Sequence, residues 1–185
     1  MVDLPDGIRI ATVDDVPDIL RLIRDLADYE REPDAVATSE DDLRTWLFGP
    51  DAVASVLVAE VDHRVVGIAL WFRTYSTWTG VPGIHLEDLY VEPAQRGSGL
   101  GKALLASLAR IAVDRGYQRV EWVVLDWNTP SIEFYKSLGA RPMQEWSTYR
   151  LTGEALSGVG TCDDQGAPEL RPVWWAEKPS VSQNA

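Results

Sequence analysis

The chain has 185 residues, of which 45% are hydrophobic and 25% are charged, as is typical of one globular domain with a sizeable core. Its net charge of −12 argues against nucleic acid as a partner and suits a small cationic substrate. The alternative is that the negative charge only keeps the protein soluble. No stretch approaches the roughly 20 apolar residues that cross a bilayer, so no membrane partner is expected. The lone Cys162 cannot form an internal disulfide, which indicates the reducing cytoplasm as the location of the protein.

The first half of the chain predicts a strand, two helices and a hairpin, in that order. Alternation predicts a strand at 8–12, and Asp14 or Asp15 can cap a helix whose apolar residues recur at helical spacing. Ser39 gives a second helix start. The runs at 55–61 and 64–72 are separated by three polar residues, which predicts a hairpin.

The second half predicts strands alternating with helices. Pro93 stops a strand at 83–92, Gly116 closes a helix, Thr129 can cap a second helix that Pro130 begins, and Gly139 suits its end. The predicted order is strand 83–92, helix 98–115, strand 119–127, helix 130–138 and strand 147–152. The pattern predicts a mixed α/β domain over 1–152, followed by a Gly-, Pro- and Ser-rich extension at 153–185 that is not a separate domain.

Three glycines, Gly97, Gly99 and Gly101, lie between Arg96 and Lys102, immediately before an apolar helical pattern. The first amides of a helix are unpaired and carry partial positive charge, so this segment predicts an anion site; a tight turn alone is the alternative. The spacing fits neither the Walker loop nor the dinucleotide fingerprint, which disfavours ATP and NAD chemistry.

The spacing of Arg96, Gly99 and Gly101 resembles the pyrophosphate loop Arg-x-x-Gly-x-Gly of the GCN5-related N-acetyltransferases (GNAT), which bind acetyl-CoA. The later block "WNTPSIEFYKSLGA" resembles the second cofactor segment of that family. The blocks "DILRLIRDLADYE", "TYSTWTG" and "LEDLYV" are similar to its diamine acetyltransferase branch, which includes the spermidine/spermine and thialysine enzymes. The similarity covers about residues 7–152. It implies the GNAT fold: a mixed, mostly antiparallel central sheet flanked by helices, with splayed strands that admit acetyl-CoA.

The resemblance also implies the residues that bind the cofactor. The strand would present backbone groups to the pantetheine arm, the glycine segment would hold the diphosphate, and the second block would bond the same arm. These residues are Leu89, Tyr90, Val91, Arg96, Gly97, Ser98, Gly99, Leu100, Gly101, Lys102, Asn128, Pro130, Ser131 and Tyr135. The resemblance implies no metal ion, and it implies a homodimer.

Acetyl transfer requires a neutral amine, but an alkylamine with a pKa of roughly 10 is protonated at neutral pH, so a base is needed. Neighbouring Glu87 and Asp88 point to opposite faces of a strand unless a bulge intervenes. The resemblance implies that Glu87 is the general base, acting through water, and that Asp88 holds the substrate or supports the site. It implies that Tyr135 is the general acid. The alternatives are that Glu87 and Asp88 lie on an ordinary solvated strand edge, and that Tyr135 is an aromatic residue that packs under its helix.

The resemblance places Tyr29, Glu30 and Trp78 in the amine pocket, together with Glu87 and Asp88. Aromatic rings with carboxylates suit an alkylammonium ion. The chain departs from its polyamine-acting relatives at three positions. Those relatives have an acid in place of Ser76, further acids at or near Ser147, and a tryptophan in place of Tyr149. A short amine, or an amino acid such as thialysine or lysine, is therefore at least as consistent with the sequence as a polyamine.

The sequence thus predicts an acetyl-CoA-dependent N-acetyltransferase that acts on a small primary amine by direct transfer within a ternary complex. Cys162 lies in the extension, so no acetyl-enzyme is expected on it. Acetylation of protein N-termini or lysines is one alternative, and a non-catalytic CoA-binding sensor is another.

Overall fold

The computed structural model describes residues 3–160. Its strands and helices follow one another in the order β1 (Ile8–Ile10), α1 (Val16–Tyr29), α2 (Glu40–Leu43), β2 (Ser55–Val61), β3 (Arg64–Ser76), β4 (Val81–Val91), α3 (Leu100–Asp114), β5 (Val120–Glu121), α4 (Thr129–Ser137) and α5 (Gly153–Gly160). Short 3₁₀ turns precede α1 and α3, and a π-helical turn, Arg44–Phe48, follows α2.

The five strands form one mixed sheet with the order β1-β2-β3-β4-β5. The pairs from β1 to β4 are antiparallel, and β5 runs parallel to β4. The mixed, mostly antiparallel sheet flanked by helices that the sequence predicted is confirmed.

The two long helices pack on opposite faces of this sheet. On one face, the α1 side chains of Ile19 and Leu22 share a core with Val58, Ile68 and Tyr90. We call this the α1 face. On the other face, α3 packs over Trp71 and Val91. The guanidinium of Arg115, the residue after α3, lies 5.8 Å from the Trp71 ring centroid. Gly101 in the first turn of α3 is so close that a Cβ added to it would lie 3.9 Å from Val91 Cγ2. Strand alternation puts Trp71 and Val91 on the face away from α1.

Most of the predicted elements form where expected, but two helix caps differ from the prediction. Asp15 is the N-cap residue of α1, yet its carboxylate bonds to Arg9 at 2.7 Å and to the Thr12 amide at 2.7 Å instead of to the helix. The fourth helix begins at Thr129, one residue before the predicted start. Its cap is Asn128, whose Oδ1 accepts a hydrogen bond from the Ser131 amide at 3.3 Å.

Two predicted strands are wrong in extent or in existence. The strand predicted at 119–127 shrinks to Val120–Glu121, because β4 pairs with it only at Ile84 and His85 in the part of the chain that is described. Residues 147–152 are all exposed and form no strand in the described structure, and the helix at Gly153–Gly160 was not predicted. Alternating apolar residues produce a strand only where a neighbour supplies hydrogen bonds.

The chain divides into two compact units, the first ending at Ile132 and the second beginning at Glu133. The first contains the whole sheet and α1 to α3. Among residues 3–160, no helix combines the length and the apolar character needed to cross a membrane. Cys162 and most of the predicted extension lie outside the described residues.

Candidate active site

A β-bulge at Glu87 organises the carboxylates of β4. On β3, Leu70 pairs with Asp88 and the next residue, Trp71, pairs with Leu86, so Glu87 is the extra residue. Because cross-strand partners share a face, the bulge puts Asp88 on the α1 face with Leu70. Before the bulge, His85 is already on that face, opposite Phe72. The condition that the sequence left open, a bulge between neighbouring acids, is met.

Glu87 also reaches the α1 face. Its Oε2 lies 3.7 Å from Nε2 of His85, and 56% of its side chain is exposed. In a regular strand, Glu87 and Asp88 would be separated by the thickness of the sheet. The bulge instead gathers His85, Glu87 and Asp88 on one side.

Glu30, the residue that ends α1, completes a cluster of three carboxyl groups with Glu87 and Asp88. Burial raises the pKa of Asp88 from 3.8 to about 6, and the negative charges of Glu87 and Glu30 act in the same direction. Burial likewise raises the pKa of Glu30 above its ordinary value. The structure therefore distinguishes Asp88, a largely buried acid, from Glu87, an exposed one.

The strands β4 and β5 separate at this same point. Within the described residues their pairing ends at His85 and Glu121, two residues before the bulge. From Leu89 to Val91, the edge of β4 that faces away from β3 therefore offers backbone groups that β5 does not use. Such an edge can pair with the amides of an extended ligand.

The glycine segment leads directly into α3. Gly97 and Gly99 have φ of +80° and +95°, where a side chain would be strained, and a Cβ on either would meet no atom within 4 Å. Gly99 is the N-cap residue and gives no side-chain hydrogen bond, so the amides of the first turn are not capped by it. The Ser98 hydroxyl donates to the Gln95 carbonyl at 2.6 Å, away from the helix.

The Arg96 side chain turns back over β4 in this structure. Its Nε donates to the Val91 carbonyl at 3.0 Å, and its guanidinium carbon lies 4.8 Å from the Tyr29 ring centroid and 5.5 Å from that of Tyr90. These are cation–π distances. Arg96 was expected to bring charge to a diphosphate, but here its guanidinium connects the loop to α1 and β4. Lys102 is exposed on the first turn of α3.

Asn128 joins α1 to the start of α4. It is buried, and its Oδ1 accepts hydrogen bonds from the Tyr29 hydroxyl at 3.0 Å and from the Ser131 amide. Pro130 follows as the second residue of α4. Tyr135 lies two turns along α4, in the second compact unit, and its ring is 5.3 Å from that of Phe134.

Trp78 lies at the tip of the β3–β4 hairpin, and 85% of it is exposed. Six residue pairs, about 20 Å of strand, separate this tip from the bulge. The structure thus groups Tyr29, Glu30, Glu87 and Asp88 and puts Trp78 at the far end of the hairpin. Ser76 is buried in the same turn, where its Oγ is 3.4 Å from the Thr79 amide.

The fork in the sheet, the bulge and the glycine loop before α3 are features of one enzyme family, and the comparison with known proteins agrees. Residues 19–140 match the Acetyltransferase (GNAT) family. The chain belongs to this family. The resemblance to GNAT proteins and to their diamine acetyltransferase branch is confirmed, and the protein is an N-acetyltransferase.

Two relatives and one solved structure illustrate the similarity. The thialysine N-epsilon-acetyltransferase of Sus scrofa is 41% identical over 160 residues, which cover 80% of this chain and 94% of that enzyme. The L-ornithine N5-acetyltransferase of Arabidopsis thaliana is 30% identical, over 82% and 86% of the two chains. An integron cassette protein from V. cholerae superposes with a TM-score of 0.71 at 28% identity, over 83% and 96%.

The geometry of this acetyltransferase fits a coenzyme A molecule. The uncapped first turn of α3 and the open space around Gly97 and Gly99 leave room for a diphosphate. The part of the β4 edge that β5 does not pair suits an arm that carries two amides, and Arg96 already bonds to one carbonyl there, that of Val91. His85 and the capping role of Asn128 were missed by sequence reasoning. His85 and Glu87 are two residues apart in a predicted strand, so their spacing already indicated a shared face, and Asn before Thr-Pro is a recognisable cap.

Proposed function

We propose that this N-acetyltransferase uses acetyl-CoA to acetylate the terminal primary amine of a small amino acid or diamine, by direct transfer in a ternary complex. The observation that carries the proposal is the carboxyl cluster of Glu30, Glu87 and Asp88 on the α1 face, beside the fork between β4 and β5. A cluster of carboxyl groups attracts an alkylammonium ion, and it lies where the family admits the thioester.

The names of two relatives support an amino acid as the acceptor. Thialysine and ornithine are both amino acids, and the named enzymes act on their Nε and N5 amines. This chain offers fewer acids to the distal ammonium groups of a long polyamine. Polyamine-acting relatives have an acid in place of Ser76, which is buried here, and further acids at or near Ser147. We therefore favour lysine-like and ornithine-like acceptors over spermidine and spermine.

Each carboxylate has a separate task in the proposal. Glu87, the more exposed, takes the proton from the substrate ammonium, directly or through a water, and leaves a neutral amine. Asp88 and Glu30 hold the cationic end of the acceptor, and the Tyr29 ring borders it. Trp78 would contact only an acceptor long enough to reach the hairpin tip.

Acetyl-CoA, when bound, supplies the acetyl group as a thioester. The backbone of Leu89, Tyr90 and Val91 would hold its pantetheine arm, with Asn128, Pro130 and Ser131 on the other side of the fork. The loop from Arg96 to Lys102 would hold the diphosphate. Tyr135 would give a proton to the departing sulfur, so that one proton ends on coenzyme A and one passes to solvent.

Three coarser features accompany this proposal. We expect residues 1–152 to act as one acetyltransferase domain, and the family match, which extends past Ile132 to residue 140, supports this. We expect a homodimer, on the resemblance to the diamine branch. We expect the cytoplasm as its location, because a lone cysteine suits a reducing compartment.

A substrate screen tests the function. Purified protein and acetyl-CoA are incubated with lysine, thialysine, ornithine, putrescine, spermidine, aminoglycosides and a peptide mixture, and acetylated products are identified by mass spectrometry. Glu87→Gln serves as the matched control, because the substitution keeps the shape of the side chain and removes the base.

We predict product with the amino acids that carry a terminal amine, weaker product with spermidine, and a large loss in Glu87→Gln. Acetylated peptides without any acetylated small amine would favour the protein acetyltransferase. Coenzyme A binding without turnover on any acceptor would favour a sensor.

A further inference from the structure

His85 is one of the two histidines in the chain, and it stands beside the proposed base. It pairs with Phe72 across β3 and β4, and it is also the last β4 residue that pairs with β5 in the described part of the chain. Its position is therefore fixed from both sides by the sheet, two residues before the bulge at Glu87.

The orientation of the His85 ring is fixed as well. The ring stacks on Phe72 with centroids 4.9 Å apart and an interplanar angle of 28°, and 23% of its side chain is exposed. In that orientation Nε2 faces Glu87 Oε2 at 3.7 Å, slightly beyond hydrogen-bonding distance. A small rotation of the exposed Glu87 side chain closes this gap, and such contacts often shorten when substrate binds.

The surroundings leave Glu87 dependent on this contact. A bulge residue has no cross-strand partner to pack against, so the strand alone does not fix its side chain. On the same face, the neighbouring carboxyl group of Asp88 interacts with Glu87 as a like charge, which is repulsive. Glu121 of β5 lies in register with His85, but it pairs with Arg119 at 3.2 Å. The His85 ring, by contrast, can donate a hydrogen bond to the Glu87 carboxylate.

We propose that His85 is a positioning residue: its neutral ring donates the Nε2 hydrogen to Glu87 and aims that carboxylate at the acceptor amine. This inference rests on the proposed function, in which Glu87 is the base. A partner that fixes both the orientation and the tautomer of a catalytic pair is a recurring device in enzyme sites. Without it, Glu87 samples several rotamers, and the fraction that reaches the amine falls.

The kinetic test compares His85→Phe, which preserves stacking on Phe72, with His85→Gln, which restores a donor. We expect His85→Phe to lower kcat about 10-fold with little change in the KM for acetyl-CoA, and His85→Gln to recover part of the loss. In a Glu87→Gln background, His85→Phe should cause no further loss. His63→Phe is the matched control, because His63 also lies 3.7 Å from a glutamate, Glu60, but in the β2–β3 turn. We expect that variant to retain full activity.

Two kinetic results would overturn the proposal: an unchanged kcat in His85→Phe, or an equal loss in both backgrounds, which would mean that the ring only supports the fold.

A spectroscopic test needs no turnover and so separates this inference from the proposed function. At pH 8, ¹⁵N NMR of the substrate-free protein should show the Nε2-protonated tautomer of His85, and Glu87→Ala should convert it to a mixture while His63 stays unchanged. A His85 signal that is indifferent to Glu87→Ala would contradict the proposal even if every amine in the screen is acetylated. If the signal responds but no amine is acetylated, the pair exists and the proposed function is wrong.

Discussion

Glu87 and Asp88 are neighbours in the chain, yet the sheet gives them different environments. The bulge leaves Glu87 exposed beside His85, whereas Asp88 is largely buried opposite Leu70. An exposed carboxylate is free to exchange its proton with water, which suits a base that works once per turnover. A buried acid is better suited to binding a cation, because its charge is less screened.

The raised pKa of Asp88 predicts a pH-dependent stability. Because the pKa is about 6 in the folded protein and near 3.8 otherwise, the folded state binds the proton more tightly, and this residue lowers stability as the pH rises from about 4 to about 6. Asp88→Asn removes the ionised form. We expect the variant to be more stable than the wild type by about 3 kcal/mol at pH 8 and nearly equal to it near pH 4.

Urea unfolding at the two pH values measures this difference. Asp41→Asn is the control, since 97% of the Asp41 side chain is exposed, and it should show no such dependence. A gain that is the same at pH 4 and pH 8 would mean that packing, and not ionisation, is responsible.

Tyr135 has the role of general acid in the proposed mechanism. Tyr135→Phe should lower kcat by about 100-fold and leave the KM for acetyl-CoA within a few-fold of the wild type, because only the hydroxyl is lost. Steady-state kinetics on the best acceptor measure this. Mild and equal effects on both constants would show that the ring packs and does not donate a proton.

Some residues of the site could be predicted and others could not. Glu87, Tyr135 and the glycines belong to short motifs, so a resemblance transfers them directly onto this chain. His85 stands outside those motifs, although its spacing from Glu87 puts both on one face of a strand. The presence of Asp88 on that same face depends on a one-residue slip in strand register. The orientation of Arg96 towards Tyr29 and Tyr90 depends on tertiary contacts that no local pattern encodes.

At the scale of elements, the glycine loop and α3 act together. Gly99 and Gly116 lie at opposite ends of this helix, both with positive φ (+95° and +69°) and both with open space where a Cβ would lie. They form a matched pair, because an alanine at either should cost about 1 kcal/mol of stability through the left-handed backbone.

Only Gly99→Ala should affect the cofactor. A methyl group there would project at the first turn of α3, so we expect the KM for acetyl-CoA to rise about 10-fold, whereas Gly116→Ala should leave it unchanged. Thermal unfolding and steady-state kinetics on both variants measure this. An equal change of KM in the two variants would show that helix stability alone controls the constant.

The strands show which elements a sequence pattern can predict and which it cannot. The β2–β3 hairpin, the β4 strand and α3 were predicted, since their alternation or helical spacing coincides with burial. Apolar and polar residues alternate in 119–127 and 147–152 as well, but this alternation indicates only which face of a strand could be buried. Whether a neighbouring edge is in reach is a property of the whole sheet, and here β4 separates from β5 after His85.

At the scale of the whole molecule, Glu92 holds the end of β4 to the rest of the fold. It is 11% exposed in its side chain, and it bonds to Arg64 in a bidentate pair at 2.6 and 2.7 Å and to Arg21 of α1. Arg21 also donates to the Val65 carbonyl at 2.8 Å. A single carboxylate thus joins α1, β3 and the turn that leads to the glycine loop.

Loss of this carboxylate should destabilise the protein. Glu92→Gln removes the carboxylate that pairs with Arg64 and one of the three carboxylates around Arg21, which keeps Asp18 and Asp25. We expect a loss of about 2 kcal/mol in the free energy of unfolding. The exposed pair of Arg44 and Asp41 gives the comparison, and Asp41→Asn should cost less than about 0.5 kcal/mol. If chemical denaturation gives the same loss of unfolding free energy for Glu92→Gln and Asp41→Asn, Glu92 does not hold the fold together as described.

The use of acetyl-CoA, on which any acetyl transfer in this proposal depends, requires recognition of a diphosphate by the first turn of α3. Isothermal titration calorimetry with coenzyme A and with pantetheine, which lacks the diphosphate and the nucleotide, tests this directly. We predict micromolar binding of coenzyme A and no detectable heat from pantetheine at the same concentration. Absence of coenzyme A binding, or equal affinity for the two ligands, would contradict this role of α3.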